Sequence, residues 1–204
     1  MFAIAEFSKQ SVPSRAIEKS DQGDADEALI QAIAKGDRTA MQTLYRRHHV
    51  RIYRFILRLT NDASSAEDLV SEVFIGAWRQ AGSFRSKSQV STWLLAIARN
   101  KALSALGRRR DEQLNDDAAD LIADPACDAD TMIEDRERSA IIRKCLSQLS
   151  SDHREVIDLV YYHEKTVEEV AQIIHVPAST VKTRMFYARK RMEKLLTASG
   201  CSLH

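Results

Sequence analysis

Lys182, Thr183, Phe186 and Arg189 or Lys190 recur at steps that set them along one side of a helix, away from an apolar row of Val181, Met185, Ala188, Met192 and Leu195. Cationic, hydroxyl and aromatic groups on the opening turns of such a helix are the types that read base edges in a DNA major groove. Six bases (Lys182, Arg184, Arg189, Lys190, Arg191 and Lys194) against Glu193 supply phosphate attraction. The helix also has a defined start, because Pro177 suits a first helical turn and disfavours a helical Val176. Upstream, Thr166-Val-Glu-Glu169 has the capping-box pattern and opens a helix whose Val170, Ile173 and Ile174 face inward. The short turn between the two makes a helix-turn-helix.

Other chemistry is poorly supplied. His48-His49, His153, His163 and His175 have no carboxylate or cysteine at ligand or triad spacing, so each reads as a surface or packing histidine and no catalytic residue is assigned. Cys127, Cys145 and Cys201 are too scattered for a disulfide framework, and no CxxC or His/Cys zinc spacing occurs. Neither a metal nor a cofactor is called for, and a reducing cytoplasm is the expected setting. Met1 to Phe7 is apolar but contains Glu6 and lacks a basic flank, so it does not read as a signal peptide. No run reaches the about 20 apolar residues of a membrane span.

The elements that must position these groups are helical. The 204 residues contain six glycines and three prolines, leaving long uninterrupted runs of good helix formers. An all-α fold of two small helical domains follows. Residues 1–23 are polar and aperiodic and read as a disordered tail. From Asp24 the positions Leu29, Ile30 and Ile33 mark a helix stopping at Gly36, and Asp37 caps a second carrying Leu44, Ile52, Phe55 and Ile56. Ser64-Ser-Ala-Glu67 reads as a capping box for a third helix ending near Gln80, and a fourth runs from Ser91 to Leu106, before Gly107. These place a first lobe at 24–110. The second lobe, 131–198, holds helices Thr131 to Gln148, Asp152 to His163, Val167 to His175 and Pro177 to about Thr197, followed by a tail at 199–204.

Between the lobes, 111–130 has Pro125 but no aromatics or periodicity and reads as a flexible acidic tether. Residues 111 to 137 hold eleven acidic side chains against one base, a net −10, so a chain of net +1 carries +11 elsewhere. Basic bodies joined by an acidic segment suit a polyanionic partner.

Leu149-Ser-Ser-Asp-His-Arg-Glu-Val-Ile157, Thr166-Val-Glu-Glu-Val-Ala-Gln-Ile-Ile174 and Ser179-Thr-Val-Lys-Thr-Arg-Met-Phe-Tyr-Ala-Arg189 resemble region 4 of the sigma-70 family. Ala66-Glu-Asp-Leu-Val-Ser-Glu-Val-Phe-Ile-Gly-Ala-Trp-Arg79 resembles region 2.2. Phe84-Arg85 with Ser91-Thr-Trp-Leu-Leu-Ala-Ile-Ala-Arg-Asn-Lys-Ala-Leu103 resembles regions 2.3 and 2.4 of the extracytoplasmic-function branch. The likeness spans about 24 to 197 and implies a non-enzymatic initiation factor, with a stress or extracytoplasmic signal as its setting. Its implied partners are promoter DNA and RNA polymerase core, through the largest-subunit clamp coiled coil and the second-largest-subunit flap. Relatives are often held by an anti-sigma protein wedged between the lobes.

In such factors the first lobe captures an unstacked base of the melted strand, which needs aromatic walls, an amide and backbone cations. The resemblance assigns this to Phe84, Arg85, Trp93, Asn100, Ser104, Arg108 and Arg109. Asn100 is a polar residue inside a helix with no capping reason to be there. Ser104 stands where relatives commonly have Asp or Asn. The clamp would dock on Asp68, Ser71 and Glu72, with Ser71 where Gln is more usual. The upstream element would be read by Ser179, Lys182, Thr183, Arg184, Phe186 and Arg189, with Tyr187 where a base is frequent. The rival reading is a dimeric helix-turn-helix regulator without a sigma role, which leaves the first-lobe motifs unexplained.

Overall fold

Two aspartates decide where the second and third helices begin. The computed structural model describes residues 13–86, 88–113 and 133–199, and among these there is no strand. Helix α1 (Pro13–Ala34) turns at Gly36, whose φ of 91° is open to glycine without a Cβ clash, into α2 (Arg38–Thr60). Asp37 caps α2 by accepting from the N–H groups of Thr39 at 2.8 Å and Ala40 at 3.1 Å. Asn61, at φ 54°, ends α2 and donates its N–H to the Leu57 carbonyl. Asp62 then caps α3 (Ala63–Gln80) through the Ser65 N–H. A 3-10 turn at Ala81–Ser83 precedes α4 (Val90–Gln113).

Three boundaries in the first lobe differ from those read in the sequence. The first helix begins at Pro13 rather than after 23, because Pro suits a first turn and Gly23 costs a helix interior only about 1 kcal/mol; residues 1–12 lie outside the described residues. Ser64 sits inside α3 instead of capping it, since the Asp62 carboxylate, favoured by the helix dipole, starts the helix two residues earlier. Helix α4 passes through Gly107 to Gln113, its end tied to the α2–α3 junction by Arg109, which donates to Asp62 and Ser65. The expected tether therefore loses 111–113 to α4, and its remainder lies outside the described residues.

The second lobe comprises α5 (Ile133–Ser147), α6 (Ser151–Ile157), a π-helical turn at Asp158–Tyr162, α7 (Val167–Ile174) and α8 (Ala178–Ala198). Ser150 caps α6, and both halves of the Thr166/Glu169 capping box are formed on α7. His175, at φ 55°, ends α7, and Pro177 stands at the cap of α8.

Leu44, Ile52, Phe55, Ile56, Val73, Leu94 and Leu95 are buried where α2, α3 and α4 meet, and α1 adds Ile30 and Ile33. Val156, Leu159, Val170, Ile173, Val181, Met185 and Ala188 do the same in the second lobe, where α5, α6 and α7 pack on α8. Each larger apolar side chain so buried contributes about 1.5–3 kcal/mol. The lobes also touch, α4 lying against α7. No described helix is long and apolar enough to cross a membrane.

Candidate nucleic-acid interface

Helix α8 separates its two jobs by face. Val181, Met185 and Ala188 are buried, and Met192 and Leu195 pack against the core at its edge. Ser179, Lys182, Thr183, Phe186, Tyr187 and Arg189 are exposed. Phe186 is 56% exposed, a large apolar side chain left in water by the fold, and its ring meets Tyr187 edge-on at 5.4 Å. The Thr183 hydroxyl donates to the Ser179 carbonyl at 3.0 Å, keeping its lone pairs outward. Arg184 stands apart from this row: it is half-buried and pairs with Asp152 at 2.7 Å, anchoring α8 to α6. Arg189 donates Nε to the Met185 carbonyl at 3.3 Å.

On the first lobe, Arg85, Asn100, Ser104 and Arg108 are exposed, whereas Phe84 and Trp93 are half-buried. The two rings pack on each other, centroids 5.1 Å apart, and on the core beneath. Arg109 is held at Asp62, and that hydrogen bond keeps the Asp62 carboxyl below the usual carboxylate range. On α3, Asp68 and Ser71 are exposed. Glu72 is engaged with Lys101 of α4 at 2.9 Å, so Asp68 is the carboxylate of this set without a partner among the described residues.

The sequence reading missed a polar seam between the lobes. Thr92 Oγ1 donates to Glu169 Oε1 at 2.5 Å. Lys165, 5% exposed, donates Nζ to Ser91 at 2.7 Å, Thr92 at 2.9 Å and Glu169 at 3.1 Å. Burial works against ionisation of Glu169, but hydrogen bonds from Thr92 and the Thr166 N–H, with the Lys165 charge, hold its carboxyl below the usual range. Arg99 grips Glu155 with Nε at 2.7 Å and a terminal nitrogen at 3.2 Å. Arg58 donates to Asp158 at 2.5 Å and stacks 4.2 Å over the Tyr162 ring. The available signal was the charge of Asp158 inside the apolar run Val156 to Val160, with Glu155 at its edge, where a buried charge demands a partner.

Two histidines also acquire carboxylates that sequence spacing hid. His48 Nε2 lies 2.7 Å from Asp26 Oδ2, and His163 Nε2 lies 3.3 Å from Asp158 Oδ2. The first partner is 22 residues away and the second comes from the adjoining π turn, so neither follows ligand or triad spacing. Among the described residues no three His, Cys, Asp or Glu side chains group to hold a metal ion.

The models of "Sigma-70 region 2" and "Sigma-70, region 4" match residues 44–112 and 139–192. The chain is 32% identical over 181 residues to the RNA polymerase sigma-H factor of Pseudomonas aeruginosa, covering 84% of this chain and 93% of that one. This chain belongs to the sigma-70 family. Similarity to the ECF RNA polymerase sigma factor SigK of Mycobacterium ulcerans, 31% identical over 178 residues with 84% and 94% covered, places it in the extracytoplasmic-function branch. A solved structure of the sigma factor RpoE in complex with the anti-sigma factor NepR from Bartonella quintana is similar at a TM-score of 0.63 and 28% identity, over 76% of this chain and 96% of that one. In this sigma-70 family chain, region 2 runs from α2 through α4 and region 4 from α5 through most of α8. Helix α1 precedes the matched part, and packs on α2 all the same.

Proposed function

We propose that this sigma-70 family protein carries RNA polymerase core to promoters, reading an upstream element with α8 and holding a melted downstream base with α4. It acts in the cytoplasm and without catalysis, in response to a stress or extracytoplasmic signal. The observation that carries the reading is the exposed row of Lys182, Thr183 and Phe186 on a helix whose other side is buried. Nothing in the stability of the lobe requires a 56% exposed phenylalanine there, and an aromatic beside two hydrogen-bonding groups suits base contact. Asn100 and Arg108, exposed on α4, supply an amide for base hydrogen bonds and a cation for the strand backbone. Asp68 on α3 is an acidic docking point for a basic surface of the polymerase clamp, and region 4 meets the flap. An anti-sigma protein as a partner fits the same reading, since the solved relative is in complex with one.

The test is run-off transcription. Purified chain added to core polymerase should bind it as a monomer and start transcripts from a restricted set of promoters, found by sequencing transcripts after overexpression. Binding of a palindromic duplex by a dimer, with no stimulation of core polymerase, would replace this reading with the dimeric regulator.

A further inference from the structure

A cleft of about 540 Å³ opens where α2 of the first lobe meets the π turn of the second. One wall is a row of arginines, Arg47, Arg51, Arg54 and Arg58, at steps of four, three and four, so all project from the same side of α2 over about 16 Å of its length. Tyr162 and His163 form part of the facing wall. Like charges at helical i,i+4 spacing repel, so the row costs the helix stability unless something answers it.

The two ends are answered. Arg47 pairs with Asp26 at 2.7 Å, and Arg58 with Asp158 at 2.5 Å. The two central guanidiniums, Arg51 and Arg54, have no partner among the described residues. A second observation points into the same cleft. His163 is 3% exposed, yet its Nδ1 has no hydrogen-bond partner and its Nε2, 3.3 Å from Asp158, is not aligned for one. His163 Nε2 and Asp158 Oδ2 are thus both left unsatisfied, and His163 lines the wall opposite two guanidiniums that have no partner among the described residues.

We propose that this interlobe cleft binds a compact polyvalent oxyanion, a phosphate monoester or pyrophosphate group, held by Arg51 and Arg54 with Tyr162 and His163 on its far side. Guanidinium forks match phosphate oxygens in geometry and charge. The carboxylates of Asp26 and Asp158 at the two ends repel a continuous strand running the length of the row and leave room for a short anion at its centre. The occupant touches both lobes, so its binding favours the arrangement in which they are packed together.

Isothermal titration of the full chain with inorganic pyrophosphate, at fixed ionic strength in chloride, tests the site. Saturable binding at one site per chain is expected. Replacing both central arginines, Arg51→Gln with Arg54→Gln, should weaken it by about tenfold or more, while Arg79→Gln, an exposed arginine on α3, should leave it unchanged. Arg54 is exposed, so Arg54→Gln alone repeats the comparison if the double variant does not fold. Adenosine 5′-diphosphate run in parallel identifies the source: equal affinity supports a bare phosphate group, and tighter binding supports a nucleotide, both within the proposal. No saturable heat up to millimolar pyrophosphate, or equal binding by the double and control variants, would overturn it. Binding of a hexaglutamate peptide in place of pyrophosphate would likewise overturn it and assign the cleft to an acidic protein segment.

Discussion

Arg99 and its neighbour Asn100 on α4 face opposite duties: Arg99 is turned into the lobe boundary, gripping Glu155 of α6 at 2.7 and 3.2 Å, while Asn100 is exposed to solvent. The helix offered for base capture is thus also the helix that holds the second lobe. Glu155 is 6% exposed, so the pair is desolvated and sensitive to the loss of either member.

Removing one side of a buried ion pair strands the other at a cost of about 3–5 kcal/mol. Arg99→Ala should relieve that cost by loosening the lobe boundary at α4 and α6, letting Glu155 reach water. Small-angle scattering should give a larger radius of gyration for the variant than for the wild type. An unchanged radius with an unchanged melting temperature would show that the pair does not hold the lobes.

The Glu169 carboxyl is held below its ordinary value in the folded chain, so its contribution to stability is fully present above the unfolded value and is lost as pH falls through the folded one. Acid should therefore loosen the contact of α4 with α7 only after carboxylates of ordinary pKa elsewhere in the lobes have taken up their protons. Glu169→Gln should flatten this part of the stability profile below about pH 4.5, measured by thermal melts across the acid range. A profile identical to wild type would remove Glu169 from the acid response.

Lys182→Ala and Thr183→Ala should each change upstream-element use by about 1–3 kcal/mol per lost base contact, with core-polymerase binding intact. Arg184→Ala should behave differently, because its pairing with Asp152 makes it a positioning residue: melting temperature should fall and discrimination between promoters should change little. In vitro transcription on a panel of promoter variants separates the two outcomes.

Asn100→Ala should reduce open-complex formation more than it reduces polymerase binding, since an unstacked base would lose its directional hydrogen bonds. Permanganate footprinting reads the melted bases directly. Normal melting with this variant would return the exposed face of α4 to a solvated surface.

Asp68→Lys should weaken association with core polymerase, because an exposed, unpaired carboxylate acts through a basic partner. Glu72 is the poorer probe, since its reversal would also repel Lys101 within the same lobe. Equal affinity of Asp68→Lys and wild type in a core-binding titration would take α3 out of the interface.

What depends on neighbours along the chain was legible in the order of residues. The capping box at Thr166 and Glu169, the Asp37 cap, the break at Pro177 and the buried and exposed faces of α8 all rest on spacings of three or four residues, the range over which helix hydrogen bonds and side-chain periodicity operate. Where two local signals competed, as between Asp62 and Ser64, the Asp62 carboxylate became the cap of α3, and Arg109 reaches it from 47 residues away. Which polar groups are partners depends on how distant helices pack. Thr92 with Glu169, Arg99 with Glu155 and Arg58 with Asp158 are separated by 77, 56 and 100 residues. Such charges read in a sequence as solvated faces, because hydropathy reports what a side chain would prefer and not what the fold brings against it.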